Sequence, residues 1–232
     1  MTNCNVKKTA LRTTFLARLT SLSYNEKQTV KYITLRDKDG MKKQATLFPV
    51  KEIAVVTELD WKEAKILAEQ IRTAVETHCD IIEIAGSIRR EKNKVHDIDF
   101  VAVAKNDAEW QKINEKLRRL KARSGCSGNS LIKAFLPCQN GIFQVDFYRA
   151  KPSTFGIHMI IRTGSAEHNM WLAAYAISRG MRLKYSEGLI KDSCAIAGEN
   201  EKGVFTSLDL PCPLPSQREI VGDKPVWMVT QA

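Results

Sequence analysis

Asp97 and Asp99 stand one residue apart, just before the apolar run Phe100-Val101-Ala102-Val103 and shortly after Gly86-Ser87-Ile88-Arg89-Arg90. The apolar run reads as a β-strand, and alternate residues of a strand share a face. The two carboxylates are therefore expected side by side on one sheet surface. Like charges so placed repel, and folding alone does not reward the arrangement. A cation is expected between them. A third carboxylate, Asp146, falls in the stretch 142–148, where Phe143, Val145 and Phe147 alternate with Gln144, Asp146 and Tyr148. On a neighbouring strand it would join the first pair. Three carboxylates so arranged make a hard-oxygen site suited to Mg²⁺ together with substrate phosphates. Two such ions, about 3.5–4 Å apart, can clamp an in-line phosphoryl displacement. One would hold a triphosphate and the other would lower the pKa of an attacking hydroxyl, with Mn²⁺ able to substitute. Asp97 and Asp99 would bridge both ions, and Asp146 would complete the attacking side. Gly86 permits close backbone approach, Ser87 offers O–H and N–H, and Arg90 offers charge to phosphates. An Asp-x-Asp pair alone is also an ordinary strand-edge feature, Ser87 alone a helix cap and Asp146 alone a salt-bridge carboxylate. The Gly-Ser turn upstream makes the combination specific.

The elements that must position these residues are legible in the hydrophobic periodicity. Residues 6–22 fit a basic helix with Leu11, Phe15, Leu19 and Leu22 on one stripe. Residues 29–35 and 44–48 flank a turn at Asp39-Gly40 and predict a β-hairpin. Asp60 can cap a helix from Trp61 to about His78, with Ala64, Leu67, Ile71 and Val75 on one face. A strand over 81–85, the Gly86-Ser87 turn and the Asp-bearing strand follow. Residues 107 to about 121 predict a second helix, ending in the basic cluster Arg118, Arg119, Lys121 and Arg123. Residues 125–129 read as a loop, and 131–136 with 142–148 as a β pair across Gln139-Asn140-Gly141. After Pro152 the pattern turns helical, with Ser165 as N-cap of a helix over 166–179 and Gly180 as its stop. The Pro-rich tail from Pro211 is expected to wrap around the fold. The implied organisation is a basic segment over 1–50, a first domain over 51–150 and a second over 151–232.

The 232-residue chain is 44% hydrophobic and 27% charged, as expected of a folded domain, and no apolar run approaches a membrane span. The formal charge is +10, and residues 1–50 hold ten Lys/Arg against three acids. That surplus suits a polyanion, nucleic acid first, though a merely basic surface has the same composition. The six cysteines are scattered without a CxxC pair, which points to reduced intracellular thiols. The first 25 residues contain no acid, a composition shared by basic helices and organelle transit peptides. Cytoplasm, nucleoid, nucleus, organelle and virion all stay open.

Gly-Ser-x-Arg-Arg followed by Asp-x-Asp resembles the palm of the DNA polymerase β-like (family X) nucleotidyltransferases. Thr163-Gly164-Ser165-Ala166-Glu167-His168-Asn169 is similar to the family's thumb motif TGSxxxN. Leu172, Ala176, Gly180-Met181, Leu183 and Gly188-Leu189 follow at the family's spacing. Leu210-Pro211 and Pro215-Ser216-Gln217-Arg218-Glu219 resemble its C-terminal LGLP and PPxxRE segments. The resemblance implies an α+β fold: a nucleotidyltransferase-type palm, a mixed sheet with helices on one side, plus a small helical and β thumb. It implies metal ligation by Asp97, Asp99 and Asp146. It implies triphosphate contacts from Ser87, Arg90 and the backbone at Val95 and His96. Ile161, Arg162, Thr163, Gly164 and Ser165 would lie beside the sugar, and Asn169 at the edge of the incoming base.

The departures bear on substrate. Where the family often has Tyr-Phe before TGS, excluding a ribose 2′-OH, this chain has Ile161-Arg162, so the sugar is left open between dNTP and rNTP. Val95-His96 replaces the usual small residues before Asp-x-Asp, and Tyr148 stands where the family has a basic residue. The family's LxEYGL reads Leu183-Lys184-Tyr185-Ser186-Glu187-Gly188-Leu189, shifted by one. Gly40 is the only glycine in residues 1–80. The glycine-containing helix–hairpin–helix turns of the lyase and fingers modules are thus not expected. Lys7, Lys8, Arg12, Arg18, Lys42 and Lys43 are expected to grip phosphate in their place, with Arg118, Arg119 and Lys121 as a second basic cluster. Packing against the palm, or compensation of a helix dipole, would use the same residues.

The implied activity is a monomeric, Mg²⁺-dependent, gap-filling DNA-directed DNA polymerase of DNA repair, acting on primer-template or gapped DNA. The alternatives are a template-independent terminal or ribonucleotide-adding transferase and a non-catalytic nucleic-acid-binding module.

Overall fold

The computed structural model describes residues 32–36, 42–46, 58–120, 122–138 and 141–229. The chain divides into two units, residues 1–53 and 54–232. In the first, β1 (Tyr32–Arg36) and β2 (Lys42–Thr46) pair antiparallel, with Arg36 opposite Lys42. This is the expected hairpin. The expected helix over 6–22 lies outside the described residues.

The second unit opens with β3 (Leu59–Asp60) and α1 (Trp61–Val75). Asp60 caps α1 by accepting a 3.0 Å hydrogen bond from the Glu63 N–H. Ala64, Ala68, Ile71 and Val75 are its buried residues, one apolar stripe at helical spacing. The helix ends three residues earlier than the sequence suggests. The 76–78 stretch is a 3₁₀ turn instead, and feeds β4 (Cys79–Ile84). Then follow α2 (Gly86–Arg89), β5 (Lys94–Val95), β6 (Ile98–Ala104), α3 (Asp107–Arg119), β7 (Arg123–Ser127), β8 (Leu131–Cys138) and β9 (Gly141–Arg149).

Five of these strands form a mixed sheet in the order β4-β6-β9-β8-β7, with only the β6–β9 pair parallel. β7 corrects the expected loop over 125–129. Its sequence, Arg-Ser-Gly-Cys-Ser, lacks strand-forming residues, and pairing with β8 along the sheet edge imposes the extended backbone. Phe100 and Phe147 stack at 4.7 Å on the face covered by α1 and α3, where Trp110, Ile113 and Leu117 are buried. Burying one such side chain contributes about 1.5–3 kcal/mol. Val101 and Val103 point to the opposite face and pack on Met159. β6 is thus covered on both sides, which explains its continuous apolar run.

Met159 belongs to α4 (Phe155–Thr163), the helix shared by the sheet and the C-terminal part. Ile157 and Ile160 of α4 enter a second core with Leu172 and Ala176 of α5 (Ala166–Ser178). Three short strands, β10 (Met181–Lys184), β11 (Gly188–Lys191) and β12 (Cys194–Ala197), form an antiparallel sheet beside them. α6 (Glu201–Ser207) adds Val204 and Phe205 to this core. The Pro-rich tail leads through β13 (Ile220–Val221) and β14 (Lys224–Pro225) into α7 (Val226–Val229), whose Trp227 is buried. Among the described residues no helix is long and apolar enough to cross a membrane.

Candidate active site

Parallel register places Asp99 of β6 directly beside Asp146 of β9. Asp99 shares a face with Val101, and Asp146 projects opposite to Phe147, so both carboxylates stand on the α4 side of the sheet. Asp97 lies one residue before β6. One oxygen from each of the three carboxylates falls within 4.8 Å of the others.

The turn behind them is fixed by one backbone and one side-chain hydrogen bond. The Ala85 N–H donates to the Asp99 carbonyl at 2.8 Å, and the Trp61 indole N–H to the Ile88 carbonyl at 2.8 Å. Gly86 has a φ of +61°, and a Cβ there would meet Asp99 Oδ2 at 2.2 Å. Only glycine meets both demands. Ser87 Oγ is buried beside this turn without a hydrogen-bond partner among the described residues, as is Asp146 Oδ1.

The electrostatics are those of crowded carboxylates. Burial, reinforced by Asp97 and Asp146, pushes Asp99 up to about 7, while Arg162 and Arg90 oppose the shift. Asp97 is raised by burial and by Asp146. An Asp146 oxygen with no donor among the described residues, and the raised proton affinity of Asp97 and Asp99, fit a site built to bind divalent cations. Asp146 is held at its other oxygen, Oδ2, by Gln144 Nε2 at 3.2 Å, the Tyr148 hydroxyl at 3.2 Å and Lys133 Nζ at 3.3 Å. The Arg162 guanidinium lies 3.6 Å above the Tyr148 ring.

The predicted phosphate and sugar residues occupy varied places. Arg90 donates from Nε to Glu219 at 2.9 Å and from Nη1 to the Thr163 carbonyl at 2.6 Å, so it ties the turn to the end of α4. Lys92 joins the same Glu219 at 2.8 Å. Val95 is buried and paired with Leu59 across β5–β3, and His96 is exposed beside Asp97. Ile161 and Arg162 are in the last turn of α4, which ends at Thr163, with Gly164 as its C-cap. Ser165 caps α5, accepting from the His168 N–H at 3.1 Å. Asn169 Nδ2 donates to the Ile161 carbonyl at 2.7 Å, closing the 161–169 turn on itself.

The basic residues are not gathered at this site by anything described. Arg118 and Arg119 are exposed in the last turn of α3. Lys42 and Lys43 stand on β2 of the first unit. Lys7, Lys8, Arg12, Arg18 and Lys121 lie outside the described residues.

Several residues here escape motif reading. Arg89 makes two bonds to Glu201, at 2.8 and 2.6 Å, and a third to the Thr163 hydroxyl at 2.9 Å. Glu201 also accepts from Arg218 at 2.6 Å, and Arg218 is only 1% exposed. Its two guanidinium partners hold the Glu201 carboxyl below the usual range despite burial. These charges lock α2 to α4, α6 and the tail. Lys133 had a signal that could have found it. Cys138 pairs with Gly141, and the two-residue connection fixes a register in which Lys133 falls opposite Asp146.

Residues 158–219 match the family model described as DNA polymerase beta thumb. Among solved structures the fold is similar to Leishmania infantum polymerase beta in a ternary P/T complex. That match has a TM-score of 0.63 and 18% identity, over 70% of this chain and 77% of that one. No curated protein matches the chain. Residues 158–219 thus carry the match to a polymerase beta thumb, within a fold similar to that of polymerase beta.

Proposed function

We propose that the chain is a nucleotidyltransferase that adds nucleoside monophosphates from nucleoside triphosphates to a nucleic-acid 3′-hydroxyl. Its task in this reading is filling short gaps in DNA during repair, as an intracellular monomer. The convergence of Asp97, Asp99 and Asp146 within 4.8 Å on one sheet face carries the reading. The three would hold two divalent ions, Mg²⁺ by preference. Such ions supply charge neutralisation on phosphate and an activated hydroxyl. The new bond forms between the 3′-oxygen and the α-phosphorus, the α–β phosphoryl bond breaks, and pyrophosphate leaves. Ser87 offers to the leaving phosphates its buried hydroxyl, which has no partner among the described residues. Arg90 offers its guanidinium on exchanging Glu219 for phosphate. Residues 51–150 act as the palm, 151–232 as the thumb and 1–50 as a basic grip on DNA. The ternary P/T state of the structural neighbour supports a primer-template partner.

A second reading, transfer of ribonucleotides or untemplated addition, is favoured by Arg162. Its guanidinium is stacked on Tyr148, so the position offers no ring against a 2′-hydroxyl. One experiment separates the two. A labelled primer, alone or annealed across a one-nucleotide gap, is incubated with each dNTP or rNTP and Mg²⁺ or Mn²⁺, with Asp99→Asn as the blank. Addition of only the complementary dNTP supports gap filling. Addition to the free strand, or of ribonucleotides, supports the transferase. No addition above the blank refutes both and leaves a binding module.

A further inference from the structure

Asp146 is the most enclosed of the three carboxylates, and its two oxygens differ. Oδ2 receives Gln144, Tyr148 and Lys133, while Oδ1 is buried with no protein partner among the described residues. Gln144 and Tyr148 flank Asp146 on its own strand face, and as neutral donors they suffice to fix its orientation. Lys133 does something else. It comes from β8, directly opposite in register, and brings a full positive charge to a centre suited to divalent cations. Its side chain keeps 34% of its surface exposed, so it is free to swing toward solvent.

We propose that Lys133 is a positioning residue that acts through Asp146 as a resident cation. It keeps the Asp146 side of the metal centre weak until substrate phosphates add negative charge. The inference rests on the metal-centre reading above. Held across one carboxylate from a divalent ion, an ammonium repels it. Even at the dielectric constant of water, that repulsion amounts to about tenfold in affinity. The ion pair also satisfies Asp146 in the empty centre, where three unscreened carboxylates would repel one another. The result is a centre that stays folded without ions and fills its attacking side as the triphosphate arrives. An ion-loaded centre without nucleotide, free to hydrolyse or cleave other phosphates, is thereby disfavoured.

The test is Mn²⁺ binding by the full chain, followed through the electron paramagnetic resonance signal of free Mn²⁺. Wild type, Lys133→Met, Lys133→Arg and Asp99→Asn are titrated with and without a non-hydrolysable nucleoside triphosphate. Lys133→Met is expected to bind Mn²⁺ about tenfold more tightly than wild type without nucleotide. Lys133→Arg keeps the charge and is expected to match wild type. With nucleotide present the gap between wild type and Lys133→Met is expected to narrow. A merely structural lysine predicts the opposite sign, because a loosened Asp146 binds metal less well. Lys133→Met equal to or weaker than wild type overturns the proposal, provided Asp99→Asn abolishes binding and so upholds the centre. Mn²⁺ binding that survives Asp99→Asn overturns the metal-centre reading and the proposal with it.

Discussion

Removing the charge of Asp99 should make the metal-free protein more stable while abolishing its activity. Burial and two neighbouring carboxylates raise Asp99 from 3.8 to about 7. A raised carboxyl pKa means the folded state binds a proton that the unfolded state has released. Between about pH 4 and pH 7 stability therefore falls as pH rises, and above pH 7 the full cost is present. The shift of roughly 3 units corresponds to about 4 kcal/mol. Asp99 keeps partial solvent contact, and screening reduces this to on the order of 2 kcal/mol. For a chain of this size that is a melting-temperature gain of roughly 4–8 °C for Asp99→Asn near pH 8 without metal. The measurement is thermal unfolding of both proteins in chelator across this pH range. The gain should shrink toward zero near pH 4, where wild-type Asp99 is protonated and asparagine is its near-isostere. Added Mg²⁺ should stabilise wild type and not the variant, closing the gap from the other side. A variant no more stable than wild type near pH 8, or a gain that persists unchanged at pH 4, would refute the reasoning.

Gly86→Ala places a methyl group 2.2 Å from Asp99 Oδ2 at a positive φ. It is expected to lower primer extension at least about tenfold and stability by about 1–3 kcal/mol, checked by extension kinetics and denaturant unfolding. Glu201→Gln leaves Arg89 and the buried Arg218 without their shared carboxylate. It should cost about 3 kcal/mol, or roughly 6–12 °C in melting temperature. A loss below about 1 kcal/mol would show that the two arginines find other partners. Burial and the nearby Arg218 hold His168 down at about 4, against 6.5 when exposed. Its neutral form is the folded form, so its contribution is complete above pH 6.5 and is lost as pH falls toward 4. His168→Phe should remove roughly 3 kcal/mol of that acid-side loss, read from unfolding free energies at the two ends of the window.

Local chemistry and periodicity carry far in this sequence, and they stop where charges meet across the fold. Asp60, Ser165 and the apolar stripe of α1 were legible because caps and helical spacing involve residues three or four apart. Asp97, Asp99 and Asp146 were legible as a cluster because strand alternation fixes their faces and a single parallel pairing brings them together. β7 was not, since Arg-Ser-Gly-Cys-Ser acquires its extended form from β8 and carries no pattern of its own. The Arg89–Glu201–Arg218 cluster was invisible for a related reason. Arg89 and Glu201 are 112 residues apart, and each alone is an ordinary surface charge. Their worth arises only when α2, α4 and α6 close around them and remove water. Arg90 makes the same point within a matched motif. Its residue type and spacing mark it as a phosphate ligand, while its partners are Glu219 and the Thr163 carbonyl. In the proposed reading, the Glu219 carboxylate on that guanidinium is the protein's own anion standing in for a phosphate. The motif then names the chemistry Arg90 can do, and the fold identifies Glu219 as the anion a nucleotide would displace to use it.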